Sequence, residues 1–207
     1  MDEQNKHSDD LKIIRKIMEE SSRFLSLSGL SGVFIGIYAI LGAIIVKFLI
    51  LSESSQGDYS LFSVETSLNN KILSLLCFIF VMIIALGTAY FLALQKSRSK
   101  NQKIWSPVTR QLLINLFVPL AAGALFIVIL LMNNNPEYIG AAMLIFYGLA
   151  LFNAGKYTFG EVQYLGGIEI IIGLLAAIFT EISLVLWLIG FGALHIFYGL
   201  ILYRKYR

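Results

Sequence analysis

"GGIEIIIGLLAAIFTEISLVLWLIGFGALHIFYG", residues Gly166 to Gly199, is apolar on both sides of one short break, "TEIS", Thr180 to Ser183. A helix that crosses a ~30 Å hydrocarbon core needs roughly 20 residues. The runs flanking the break, Val162 to Phe179 and Ser183 to Tyr203, are about that long, and so short a connection predicts that they form an antiparallel hairpin. Into this hairpin the sequence puts one glutamate, Glu169, and one histidine, His195.

The hairpin fixes the relative depth of these two residues. Counted from the turn, and at ~1.5 Å of rise per residue, they fall within a few ångströms of one level, roughly 10 to 14 Å inside the cytoplasmic ends of their helices. Small residues surround both: Gly166, Glu169, Gly173 and Ala176 share a stripe on the fifth helix, and Gly192, His195 and Gly199 share one on the sixth. Helices in lipid approach closely where side chains are small, so both ionisable residues are expected on packing faces and away from lipid. We therefore expect a hydrogen bond between Glu169 and His195. Such a pair serves either to carry a proton or coordinate a solute, or simply to order the bundle. Tyr147 and Tyr198 can bring hydroxyls to a similar level, or act as interfacial anchors.

Outward from the hairpin, the whole chain has the same character. Its 207 residues are 57% hydrophobic and 14% charged, which predicts an all-α integral membrane protein. Six runs of spanning length are present: Leu25 to Leu51, Ile72 to Leu94, Leu112 to Met132, Tyr138 to Gly155, Val162 to Phe179 and Ser183 to Tyr203. The mixed-charge start precedes a run of full spanning length, so the first helix is expected to be retained rather than cleaved as a signal peptide. Cys77 is the only cysteine, so no intrachain disulfide can form.

Lys and Arg set the expected orientation. Fourteen of the sixteen basic residues fall on one side of a six-span arrangement, and only Lys47 and Lys71 fall on the other. The prediction is a multi-pass protein of an inner (plasma) membrane with both termini cytoplasmic. The net charge of +3 then reflects topology and contact with the lipid bilayer, and calls for no nucleic acid. Residues 1–24 form the predicted cytoplasmic tail, in which "DLKIIRKIMEESSRF" has the apolar stripe of an interfacial amphipathic helix; residues 25–207 form the membrane domain. "SESSQGDYSLFSVETSLNN", Ser52 to Asn70, reads as a solvated exported loop.

The six spans divide into three tandem two-helix hairpins, about 25–94, 112–155 and 162–203. Their second members end alike, in "AYFLAL" from Ala89, "FYGLAL" from Phe146 and "FYGLIL" from Phe197. Their first members carry small-residue clusters, "GLSG" at Gly29, "PLAAG" at Pro119 and "YLGG" at Tyr164. On the first helix Gly29, Gly32, Gly36, Ala39 and Ala43 make one continuous small stripe, a predicted interface.

Enzyme signatures are absent: there is no His-Glu-x-x-His, no glycine-rich phosphate loop and no credible Ser/His/Asp set. The two histidines, His7 and His195, cannot both lie in the membrane, so no bis-histidine haem site is expected within one chain, and no cofactor or metal is expected. Asn115, Asn153, Lys156 and Glu161 sit near the expected cytoplasmic boundary and receive no role.

"SSRFLSLSGLSGVFIGIYAILGA", Ser21 to Ala43, resembles uncharacterised bacterial inner-membrane proteins. The three-hairpin plan, with the acidic residue in "GGIEIIIG", is similar to the acid-resistance membrane protein family. The resemblance implies a six-helix bacterial membrane protein tied to envelope or acid stress, with no catalytic residue to transfer. The functional expectation is a non-enzymatic membrane protein acting through self-association, as a homo-oligomer, or through a membrane partner protein. A proton-coupled small-solute transporter or channel using Glu169 and His195 is the alternative, and a membrane enzyme the last.

Overall fold

A computed structural model describes residues 28–50, 67–99 and 105–206. The predicted tail helix within residues 1–24, and most of the polar loop after the first span, lie outside the described residues. The described chain is helical, without a strand, and contains six helices long and apolar enough to cross a membrane, as expected for a multi-pass membrane protein. We label them α1 (Gly29–Ile45, extended by a π turn, Val46–Ile50), α2 (Leu68–Ser99), α3 (Pro107–Met132), α4 (Ile139–Ala154), α5 (Gly160–Ile178) and α6 (Thr180–Lys205). The sixth helix is a composite: a 3₁₀ turn Thr180–Ile182, an α-helical turn Ser183–Trp187, a π segment Leu188–Leu194 and a final α-helix His195–Lys205.

Local chemistry explains the helix ends. Pro107 opens α3 where no N–H is required, and the Ser106 hydroxyl accepts the Thr109 N–H at 3.1 Å. At its other end Asn134 takes a left-handed φ of 59°, which lets Asn134 N–H donate to Leu131 O at 3.2 Å and Asn135 N–H to Leu130 O at 2.9 Å. Those two bonds satisfy carbonyls that the end of a helix leaves open, and Pro136 then prevents continuation. Pro119 is accommodated within α3. Between α5 and α6 the chain turns through Thr180–Ile182, after Phe179 N–H donates to Leu175 O at 2.8 Å.

Lipid tails are as apolar as the side chains, so close van der Waals approach, rather than hydrophobic force, decides which helices meet. Two glycine seams give the closest approaches. In the first, α1 runs antiparallel to α6. A Cβ added at Gly199 would stand 2.5 Å from Val33 N and 2.7 Å from Gly29 O, one at Gly36 would stand 2.6 Å from Gly192 O, and Gly29 lies against the Tyr203 backbone. In the second, α4 runs antiparallel to α5: a Cβ at Gly166 would stand 2.5 Å from Phe152 N, one at Gly148 2.7 Å from Gly166 O, and one at Gly173 2.7 Å from Ile145 Cγ1. All seven glycines expected at packing faces, Gly29, Gly32, Gly36, Gly166, Gly173, Gly192 and Gly199, are buried, and the glycines of the α1 stripe are met by α6 of the same chain. Gly148, which faces Gly166, belongs with them.

One seam thus joins α4 to α5 and the other joins α6 to α1. The neighbouring helices α2 and α3 do not meet in a comparable way. In the similar stretches "AYFLAL", "FYGLAL" and "FYGLIL", α2 carries Phe91 where α4 and α6 carry Gly148 and Gly199, and Phe91 is exposed together with Tyr90. Bulk at that position keeps backbones apart, consistent with α2 and α3 being the least buried of the six. The core lies between α1, α4, α5 and α6, with Phe78 of α2 and Leu130 of α3 closing its sides.

A buried Glu-His-Tyr cluster as candidate functional site

Glu169 points from α5 between Gly166 and Gly173, and its side chain is 0% exposed; His195 begins the last α-helical segment of α6 and is 2% exposed. The short turn brings them to one level, as their spacing predicted, with His195 Nδ1 3.4 Å from Glu169 Oε1. The expected hydrogen bond takes another form. His195 Nδ1 lies 3.0 Å from the carbonyl oxygen of Gly190, and Nε2 lies 2.8 Å from the hydroxyl of Tyr147 on α4. A carbonyl can only accept, so Nδ1 carries the hydrogen and donates it to Gly190.

That assignment has a chemical consequence. In the neutral ring Nε2 is an acceptor and the Tyr147 hydroxyl donates to it; in the protonated ring Nε2–H donates and the Tyr147 oxygen accepts. His195 can therefore gain or lose a proton while both ring nitrogens keep their partners. The Tyr147 hydrogen, however, must point elsewhere whenever the ring is protonated.

Gly190 makes the geometry possible. It lies in the π segment, and a Cβ there would stand 2.6 Å from Glu169 Oε2 and 2.5 Å from Leu144 Cδ2. Only glycine leaves room for the carboxylate. Single π turns within α-helices recur at functional sites, because the extra residue re-aims the side chains that follow. An aromatic wall completes the surroundings: Phe191 packs on Tyr147 with ring centroids 4.9 Å apart, Trp187 on Phe191 at 4.8 Å, and Phe78 on Trp187 at 4.8 Å.

Glu169 is the anomaly in this arrangement. Neither carboxylate oxygen has a hydrogen-bond partner among the described residues. Buried polar groups are normally satisfied, and a charged carboxylate at membrane depth is costly, so the ionised form relies on the nearby imidazole. The pair and Tyr147 are brought together; Tyr198 is not hydrogen-bonded to them. Its hydroxyl is also buried without a hydrogen-bond partner among the described residues, a state that costs about 1–3 kcal/mol relative to a satisfied one.

A second polar cluster sits at the start of α5 and the end of α6. Lys205 Nζ lies 2.5 Å from Glu161 Oε1, and the Tyr206 hydroxyl lies 3.1 Å from Oε1 and 3.4 Å from Oε2. The sequence reading gave Glu161 no role. The signal that could have found it is its spacing, two helical turns before Glu169 on the same face. Asn115 and Asn153 donate to carbonyls four residues earlier, Gln111 O at 2.9 Å and Leu149 O at 3.1 Å, and Lys156 donates to Asn153 at 3.3 Å. Among the described residues no three metal-ligating side chains come together.

Compared with family models, with curated proteins and with solved structures, the chain finds no match.

Proposed function

We propose that the protein is a non-enzymatic membrane protein that binds and moves protons, coupled to a small solute, through Glu169, His195 and Tyr147. The carboxylate of Glu169 carries this reading: it is fully buried, 3.4 Å from His195, and neither oxygen is hydrogen-bonded among the described residues. A carboxylate kept for packing alone would have its oxygens satisfied. One that takes up and releases a proton needs an open lone pair beside a partner that can share its charge, which is what the imidazole supplies.

The reading includes a bacterial inner (plasma) membrane with both termini cytoplasmic, supported by the segregation of fourteen of sixteen basic residues. It also includes three tandem hairpins, supported by the repeated Tyr-x-Leu-x-Leu endings. The test is proton movement into vesicles containing the purified protein and a lumenal pH-sensitive dye. The wild type is expected to dissipate an imposed pH gradient. Glu169→Gln keeps the shape but removes the titratable proton, and is expected to stay folded and lose that activity. Undiminished proton movement in Glu169→Gln would overturn the reading.

The second reading, action through self-association or a membrane partner in envelope or acid stress, draws on α2. Tyr90 and Phe91 are 61% and 65% exposed at the repeat position that the other two hairpins use for close helix contact. Cross-linking in native membranes through Phe91→Cys, in a Cys77→Ala background, is expected to yield a defined adduct under this reading and none without it.

A further inference from the structure

We propose that the end of the chain is a latch: the Glu161–Lys205 ion pair, with Tyr206 folded onto Phe159, holds shut an apolar plug that keeps water from the Glu169, His195 and Tyr147 cluster. Its purpose as a gate rests on the proton-binding reading above. Glu169 is 0% and His195 2% exposed, and groups sealed from water exchange no protons with it until something opens.

The plug follows from helical arithmetic. Towards the end of the bundle that carries Glu161 and Lys205, each member of the cluster has an apolar residue on the same face of its own helix. Val162 lies seven residues from Glu169 on α5, Leu202 seven from His195 on α6, and Leu151 four from Tyr147 on α4. Seven residues at ~1.5 Å each place this layer about 10 Å along the helices from the carboxylate and the imidazole. The structure packs the layer together: Phe159, Val162 and Leu202 form one buried cluster, against which Leu151, Tyr198 and Tyr206 rest. Leu165, one turn from both Glu161 and Glu169 on α5, is buried behind it.

Polar and aromatic contacts hold the plug from outside. Lys205 Nζ lies 2.5 Å from Glu161 Oε1, and the Tyr206 hydroxyl donates to the same oxygen at 3.1 Å. The Tyr206 ring stacks on Phe159, a member of the plug, with centroids 4.2 Å apart. Lys96 of α2 donates to the Tyr206 carbonyl at 3.2 Å and lies 5.9 Å from the centre of the Phe159 ring. The last residues of the α6 end are thereby tied to the start of α5 and the end of α2. Tyr206 N–H also donates to Leu202 O at 2.9 Å, so a shift of the chain end passes directly to the plug.

These contacts are placed to be broken. The Lys205 side chain is 59% exposed and that of Glu161 23%, and ion pairs that solvent reaches hold weakly. Chain ends are also where local opening is easiest. The other side of the cluster differs: there Phe78, Trp187 and Phe191 pack ring on ring at 4.8 Å within the main core, and opening would pull apart buried apolar surface.

The experiment measures access directly, at one fixed pH, on the full chain in nanodiscs that leave both faces open to solvent. A probe, Leu165→Cys in a Cys77→Ala background, is reacted with a charged, membrane-impermeant thiol reagent, and its rate reports the population of the open form. Glu161→Ala is expected to raise that rate at least about tenfold, and Glu161→Lys combined with Lys205→Glu, which restores the attraction in reverse, to bring it back. A rate within about twofold of the intact latch in both Glu161→Ala and Lys205→Ala overturns the proposal, and so does a fast rate that the reversed pair fails to slow. Should Leu165→Cys not fold, Leu202→Cys is read by the same criteria. The proton-binding reading fails separately, on undiminished proton movement in Glu169→Gln, a result that leaves the labelling outcome as it stands.

Discussion

Replacing Gly199 with alanine tests the α1–α6 seam most directly, because the atoms that the new methyl group would meet cannot step aside. They are backbone atoms: Val33 N at 2.5 Å, Gly29 O at 2.7 Å and Gly32 C at 2.9 Å. Ordinary contact begins near 3.4 Å, so α1 and α6 must move apart by about 1 Å at this point, and the neighbouring contacts of Gly32 and Gly36 loosen with them. Overpacking of this kind costs about 1–3 kcal/mol. Alanine returns roughly 0.5–1 kcal/mol through its better helix propensity, which leaves a net destabilisation of about 1–2 kcal/mol. Gly87 on α2 is the matched control: a Cβ there meets nothing within 4 Å, so Gly87→Ala is expected to stabilise by the propensity gain alone. The two variants should thus differ by about 2 kcal/mol, on the order of 30-fold in the unfolding equilibrium measured in mixed detergent micelles. Equal stability of Gly199→Ala and Gly87→Ala would refute the seam as the source of close packing.

In a double-mutant cycle, Glu169→Gln and His195→Ala are expected to couple by about 0.5 kcal/mol or more in unfolding measurements, and strict additivity would count against the contact. Tyr147→Phe removes the partner of His195 Nε2 while keeping the ring on Phe191, so it should destabilise by about 1 kcal/mol and move the His195 Nε2 resonance in nitrogen NMR; an unmoved resonance would dissociate the two residues. Reporter fusions after Arg207 and within residues 96–110 should read cytoplasmic and one near Asp58 exported, and a cytoplasmic reading at Asp58 would refute the six-span orientation.

Span length was the most legible property of this sequence, since a bilayer demands it of each helix separately. The run read as Val162 to Phe179 is the helix Gly160–Ile178, and the run read as Tyr138 to Gly155 lies within the apolar helix Pro136–Tyr157. Faces were legible too, because Gly29, Gly32 and Gly36 share a stripe by arithmetic alone. Partners were not. A stripe of small residues in lipid records that something packs closely there, without saying which helix does, so the sequence could not assign α6 to α1 or α5 to α4. The same limit applies at the site. Equal depth placed Glu169 near His195, but a π segment is invisible to a 3.6-residue count, and with it went Gly190, whose carbonyl takes the Nδ1 hydrogen and whose missing side chain admits the carboxylate. Tyr147 was legible only as a hydroxyl at a suitable level. Glu161 was overlooked because a carboxylate near a helix end needs no explanation until Lys205 and Tyr206 are seen around it.

The seam between α1 and α6 also dictates when the molecule can be finished. Its two halves are separated by about 170 residues, so at typical rates of synthesis α1 enters the membrane roughly 10 to 35 s before its partner exists. Throughout that interval the groove along Gly29, Gly32 and Gly36 lacks its partner helix, while α4 and α5, joined through a short connection, can close their seam as soon as α5 emerges. Assembly then runs from the middle of the chain outward, with His195 arriving on the helix that also seals the bundle. A ribosome stalled before α6 would leave a membrane protein with an open glycine groove and an uncompensated Glu169, the two features by which quality control in the bilayer could tell an unfinished chain from a finished one.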